Sequence, residues 1–391
     1  METDEARPLR FMLCCSSGLE RIPHRVGAEP IESWEIYPER PFNVQEIRSI
    51  AAVADLDASA IWIRFTGGGS GKLMIRGLVN LGRSWAVARN AFSYHYDELP
   101  HTLTVRVTAP GRMVIYQSAY RMASLAGGKL EIGGLKIAQL DLLGINPLLD
   151  EGRSALRDLI NAPEEEYVGQ WHSFESLAYI NCILAILNGM QLAGHGGALI
   201  LTGQHYDIIK SDCVKIKYGL ASGGESLKNH FIEFMNARHT HGNLVWLSEW
   251  QNENAPTEQE ITLASYPLRG LQQKVAQACA FVGSLAGTDG AIVLRTDLVV
   301  VGFGTEIVID KVDRPEAFEV DHPMQKEDLP VFDTEQRGMR HRSAIRLCGT
   351  ESNLAVFVVS QDGGVSLVWS KDDKVFFKPG ISTTNINMLL A

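Results

Sequence analysis

The sequence predicts an α/β protein in two parts: a C-terminal domain with a mixed central sheet flanked by helices, preceded by a smaller β-rich domain. Two patterns predict this. Beyond residue 166, apolar stripes at helical spacing alternate with short, wholly apolar runs, as expected of helices laid over both faces of a sheet. From about 59 to 137, short apolar or alternating runs are punctuated by Gly67-Gly68-Gly69-Ser70-Gly71, Pro110-Gly111 and Gly127-Gly128, as in hairpins. Between them, Asn161-Ala162-Pro163-Glu164-Glu165-Glu166 combines proline with a charge run and reads as a linker, giving domains 1–165 and 166–391.

Along the chain, residues 61–65, 73–78 and 103–107 read as strands of a small, mostly antiparallel unit, and 147–160 as a helix. Leu177, Ile180, Leu184 and Leu187 form the stripe of an amphipathic helix, which Gly196-Gly197 stops; 198–201 then reads as a buried strand. Leu271, Val275, Ala278, Val282 and Leu285 mark a second helix ending at Gly287, with strands expected at 291–294 and 298–301. Runs at 354–359 and 365–369 flank Gln361-Asp362-Gly363-Gly364, a hairpin signal. Residues 310–335 hold nine acidic and three basic residues with three prolines; they read as a solvated connecting loop, placed to act as a flap.

Composition sets outer limits. A chain of 391 residues with 45% hydrophobic content can bury a core in each domain, and a net charge of -10 disfavours a general nucleic-acid surface. The acidic, polar N-terminus lacks the apolar stretch of a secretory signal, so a cytoplasmic location is expected. The most apolar window, 177–193, is broken by Asn181, Asn188 and Gln191, and a bilayer span needs roughly 20 apolar residues. Six cysteines without a Cys-x-x-Cys pair point to reduced, mostly buried thiols.

Two motifs fall short. The segment from Thr66 to Leu73 misses the phosphate-loop pattern because Thr66 replaces its first glycine and Leu73 the hydroxyl that would meet magnesium. His239-Thr240-His241 lacks a third ligand nearby and reads as a surface pair.

Two short words carry more chemistry. In Thr288-Asp289-Gly290-Ala291 a carboxylate sits in a glycine turn at the mouth of an apolar strand, where Asp289 can hold a divalent ion or accept a proton from a hydroxyl. Taken alone, that aspartate also fits a turn closed by its own side chain. In Gly338-Met339-Arg340-His341-Arg342-Ser343-Ala344 guanidinium groups stand at a helix start, a ready site for anions such as phosphate.

These two words resemble the signatures of the diadenylate cyclase family, which joins two ATP molecules into the second messenger cyclic di-AMP. Asp289-Gly290-Ala291 matches the Asp-Gly-Ala that opens a family strand, and Gly338-Met339-Arg340-His341-Arg342 matches Gly-Thr-Arg-His-Arg, with Met339 in place of threonine. The resemblance covers roughly 170–375, including 195–201 and 358–361, with an insertion near 220–265. It implies that Asp289 holds Mg2+ or Mn2+ and the attacking 3'-hydroxyl, and that Arg340, His341 and Arg342 contact the triphosphate. It further implies that Gly290, Ala291, Gly338 and Met339 line the nucleotide, that Ile307 lies beside the base, and that Ser360 sits at the site's edge. The implied partners are ATP and a second copy of the chain, catalytic domains face to face. The N-terminal part is similar to β-rich sensor units that precede some diadenylate cyclase domains, which implies regulation. The exchange of threonine for Met339 leaves an alternative: a nucleotide-binding sensor with weak or no turnover.

Overall fold

The computed structural model describes residues 11–15, 32–51, 59–66, 72–81, 103–117, 120–126, 128–132, 142–160, 168–194, 196–249, 255–309, 315–320, 329, 331–361, 363–381 and 383. The chain divides into two compact units, Met1–Leu135 with Asn387–Ala391, and Lys136–Ile386. Each is built on a mixed sheet, and the fold is α/β with six α-helices among the described residues.

In the first unit β1 (Phe11–Cys15), β2 (Glu32–Pro41), β3 (Ser59–Thr66), β4 (Lys72–Asn80), β5 (Leu103–Ala109), β6 (Arg112–Gln117), β7 (Tyr120–Ala126) and β8 (Lys129–Ile132) form one sheet, ordered β2-β4-β3-β1-β5-β6-β7-β8. Only β1 and β3 run parallel, so the expectation of a mostly antiparallel unit holds. Pro110-Gly111 turns β5 into β6, as expected. The glycine turn at 67–71 lies outside the described residues. Helix α1 (Val44–Ala51) lays Ile47 on Ile61, Ile63 and Ile75, while the alternate residues Ala60 and Trp62 pack with Cys14, Val79 and Leu81 on the other face.

The second unit begins earlier than the boundary expected at 165, because helix α2 (Asn146–Arg157) is fastened to it. The Glu151 carboxylate accepts the Gln204 and His205 amides at 2.8 and 3.2 Å. Gly152 lies so close to Thr296 that an added Cβ would stand 2.3 Å from the Thr296 carbonyl oxygen. Arg157 reaches Glu175 on the next helix at 3.3 Å.

The sheet of this unit comprises β9 (Gly197–Thr202), β10 (Val214–Lys215), β11 (Tyr218–Gly219), β12 (Ala291–Arg295), β13 (Val300–Ile307), β14 (Ala317–Glu319), β15 (Val331–Phe332), β16 (Leu354–Val359), β17 (Val365–Lys371) and β18 (Lys374–Pro379). Its order is β10-β13-β12-β9-β16-β17-β18-β14-β15, with β11 also on β13. At the centre β9 pairs in parallel with β12 and antiparallel with β16. These strands are buried on both faces, which is why they read as continuous apolar runs.

One face is covered by α6 (Met339–Thr350), whose Ala344, Ile345, Leu347 and Cys348 join a core with Ile200, Val293, Val356 and Phe377. On the other side lies α3 (Val168–Ala193), with α5 (Glu258–Ser284) packed on α3 and α4 (Ser226–Glu249) packed on α5. The amphipathic helix expected near 177–193 is in fact buried on every side from 177 to 187, because the sheet and α5 cover it together. Gly189 and Gly283 permit that approach: a Cβ on Gly189 would be 3.3 Å from the Gly283 Cα.

Three further expectations are corrected. His239 and His241 are not a surface pair but lie buried in α4, where helical geometry points positions two apart in different directions. His239 Nε2 is 3.0 Å from Glu175 Oε1. The acidic segment 310–335 is not simply a solvated loop: its described part adds β14, parallel to β18, and β15, and buries Ala317 and Val320. The strand expected at 298–301 starts at Val300, since Leu298 adopts a positive φ of 65° in the turn.

That turn buries a carboxylate, Asp297, between two cations. Asp297 receives Arg295 Nε and Nη2 at 2.7 Å each and Lys228 Nζ from α4 at 3.1 Å. Burial alone would raise its pKa, but the bonds from Arg295 and Lys228 outweigh this and hold it below the usual carboxylate value. A lowered folded pKa contributes stability above the unfolded value of about 3.9, lost as pH falls through the folded one. Replacing Asp297 with Ala should cost about 3–5 kcal/mol in urea unfolding at neutral pH, because two cations would be left facing each other in a buried site. The difference between wild type and variant should shrink as the pH of the titration is lowered below about 4.

Candidate functional site

Register brings the two chemical words to one end of the sheet. Ala291 of β12 lies beside Ala198 of β9, and Val358 of β16 lies across from the same Ala198. The residues before β9 and β12 therefore share an end with those after β16. On the far side of β12, Thr305 pairs with Ala291, so β13 delivers Ile307 to that same end. Asp289, Gly290, Gly196, Ile307 and Ser360 are thus neighbours by topology, although they span much of the domain's sequence.

Glycine is required at two of these places. Gly290 has φ +122°, and an added Cβ would lie 2.6 Å from the Gly304 carbonyl carbon and 2.8 Å from the Thr305 amide nitrogen. This tight crossing leaves the preceding Asp289 exposed at the strand mouth. Gly196 has φ +67°, and a Cβ there would stand 2.9 Å from the Val359 oxygen, 3.1 Å from Arg340 Nη1 and 3.1 Å from the Gln361 nitrogen. Arg340, from the first turn of α6, therefore lays its guanidinium over the start of β9.

The start of α6 is open. Gly338 is its N-cap, extended at φ -61° and ψ 160°, with no side chain to cap the first amides. Met339 follows with 76% of its surface exposed. Arg340 is exposed, and no ion pair joins either it or Asp289 to another described residue. His341 turns inward instead, edge-on to Phe377 at 5.7 Å and with Nε2 3.4 Å from Ser366 Oγ. Arg342 pairs with Glu335 at 3.0 Å, and Arg346 approaches the same carboxylate at 3.9 Å. Of the three adjacent residues, Arg340 lies against Gly196 at the start of β9, while His341 meets β17 at Ser366, which pairs with Val358.

The remaining candidates have defined local roles. Ala291 is buried as the first residue of β12. Ile307 is half-buried, pairs with Val214 and packs on the α6-side core. Ser360 closes the turn after β16, its hydroxyl donating to the Gly364 carbonyl oxygen at 3.0 Å. His195 lies outside the described residues. Among the described residues no group of three or more His, Cys, Asp or Glu is arranged to hold a metal ion.

Sequence reasoning missed several contributors. Gly196 reads as a helix stop, and only the fold reveals its contact with Arg340. Gln191, near the end of α3, donates Nε2 to the Gly363 carbonyl oxygen at 2.5 Å and accepts Thr383 Oγ1 at 2.7 Å, tying the 360–364 turn to the helix. Glu335 could be found from the acidic segment, but nothing there marks it as the partner of Arg342.

The fold and site define a mixed α/β protein in which an exposed carboxylate turn and an arginine-bearing helix start meet at one sheet end. The chain matches no family model, and no curated protein matches it. Among the described residues no helix is long and apolar enough to cross a membrane.

The crossing at Gly290 is directly testable. Gly290→Ala should lower stability by about 1–3 kcal/mol, read as a reduced thermal midpoint, because strain and the Gly304 contact both oppose the new methyl group. An unchanged midpoint would mean that β12 does not enter the sheet as described.

Proposed function

We propose that the C-terminal domain binds ATP and condenses two molecules of it into cyclic di-AMP with release of two pyrophosphates, as a nucleotidyltransferase regulated by the N-terminal domain. The observation that carries this reading is the placement of Asp289 and Arg340 at one sheet end, both exposed and neither ion-paired to another described residue. It gives physical context to two motifs that resemble those of diadenylate cyclases.

In this reading Arg340 and the open amides after Gly338 bind the triphosphate, where charge-assisted bonds to phosphate oxygens are strongest. Asp289 accepts a hydrogen bond from the 3'-hydroxyl of the nucleotide and takes its proton as the oxygen attacks. The new bond joins that 3'-oxygen to the α-phosphorus of the other ATP; the bond from that phosphorus to the β-phosphate bridging oxygen breaks, and its electron pair leaves with pyrophosphate. His341, wedged against Phe377 and Ser366, fixes the first turn of α6 and so positions Arg340.

Asp289 fits Mg2+ or Mn2+ as one hard oxygen ligand, and such ions commonly bind through one or two carboxylates plus substrate phosphates. The residues suit a cation that arrives with the nucleotide rather than one held by protein alone. When bound, it would neutralise charge on the phosphates. Because the product is twofold symmetric, two protomers must face each other, each presenting one ATP.

A second reading, a nucleotide sensor with little or no turnover, draws on the exposed Met339 and on Arg342, which is engaged by Glu335. Incubation with ATP and Mg2+ or Mn2+, analysed by mass spectrometry, separates the two. Wild type should form cyclic di-AMP, and Asp289→Asn should lose about 100-fold or more of the rate. ATP binding without product would favour the sensor, and no binding would sink both readings.

A further inference from the structure

A feature of the second unit that the proposed chemistry leaves unused is an aromatic pair, exposed Tyr218 on half-buried Phe303, close to Thr288. Tyr218 of β11 lies opposite Phe303 of β13, and their rings stack with centroids 5.0 Å apart and planes at 27°. Even with one face on Phe303, Tyr218 is 42% exposed, so part of its ring surface reaches solvent. Its position is tied to the site through glycine: a Cβ on Gly304 would come within 3.0 Å of the Tyr218 ring and 3.4 Å of Thr288 Cγ2. The same Gly304 is the backbone against which Gly290 is pressed. Tyr218, Gly304, Gly290 and Thr288 are therefore one continuous surface, with Asp289 between the last two in sequence. Lys217 adds a cation, its Nζ 5.1 Å from the Tyr218 ring centroid.

A flat aromatic face held by a second ring, next to a glycine floor and a carboxylate, suits a planar heterocycle attached to a sugar phosphate. We propose that Tyr218, braced by Phe303, is the platform on which the purine base of the bound nucleotide stacks. This rests on the nucleotide reading given above and deepens it by assigning a base contact that the two motifs do not supply. Gly304 keeps the floor low enough for the ring to lie close, and Gly302 does the same for the β11 backbone, since a Cβ there would stand 2.6 Å from the Tyr218 carbonyl oxygen. Lys217 Nζ lies over the ring, 5.1 Å from its centroid, so a stacking base displaces this exposed side chain, whose ammonium then meets the phosphate chain of the same nucleotide. Stacking on an aromatic ring uses the π-face common to all bases, so the platform supplies affinity for the base rather than a choice among purines.

The test is calorimetric titration of the full-length protein with magnesium-ATP and, separately, with magnesium-tripolyphosphate. Tyr218→Leu should weaken ATP binding about tenfold or more and leave tripolyphosphate within about twofold, while Tyr218→Phe should keep ATP affinity near wild type. In the wild-type protein, nuclear Overhauser contacts between tyrosine ring protons and adenine H2 or H8 are expected, a readout that does not depend on a variant folding. ATP affinity unchanged in Tyr218→Leu, or tyrosine-to-adenine contacts absent from the wild-type complex, would overturn the platform and leave the nucleotide reading standing. Equal loss of ATP and tripolyphosphate would also overturn it, making the ring a support of the phosphate region. Failure of wild type to bind ATP at all would overturn both.

Discussion

One register governs the second unit: β9 pairs in parallel with β12 and antiparallel with β16, with Ala198 opposite Ala291 on one side and Val358 on the other. Because all three strands are buried on both faces, sliding any of them by one residue would exchange the side chains that face α3 for those that face α6. The hydrophobic core therefore specifies where the strand ends fall. Asp289, Gly196 and Ser360 come together as a consequence of that packing.

The two ends of the sheet are built differently. At the end remote from Asp289, charged groups are paired: Asp297 with Arg295 and Lys228, and Glu151 with the Gln204 and His205 amides, while Tyr179 donates to the Thr296 carbonyl oxygen at 2.7 Å. At the near end the backbone is tightly held, at Gly290 and Gly196, yet Asp289 and Arg340 are exposed. Asp297 is thus paired at one end, whereas Asp289 and Arg340 face solvent at the other. Such local departures from full satisfaction are where function is expected to reside.

Much of this architecture was legible in the chain. Strands at 198–201, 291–294, 354–359 and 365–369 are short apolar runs bounded by glycine or polar turns, and each appears within a strand of the sheet. Helix-start chemistry at Gly338 was readable too, since the arginines precede a stripe that includes Ile345 and packs on the core. What failed did so for tertiary reasons. Helix α3 looked amphipathic because its polar residues are local, whereas its burial is decided by α5, about ninety residues away by sequence, whose approach depends on Gly189 and Gly283. His239 and His241 read as a surface pair because no third ligand stands near them in sequence, whereas the packing of α4 buries both. For the site, the two words could be recognised separately, but the bridge between them, Gly196 under Arg340, is a long-range contact between residues that each look like ordinary loop or helix punctuation.

The central claim is that the carboxylate turn and the helix start are two walls of one triphosphate site. A crystal structure of the protein with magnesium and a non-hydrolysable ATP analogue tests it most directly. Phosphate oxygens are expected within hydrogen-bonding distance of Arg340 and of the amides following Gly338, with the ribose or its metal at Asp289. A nucleotide bound elsewhere, leaving both Asp289 and Arg340 in contact only with solvent, would contradict it.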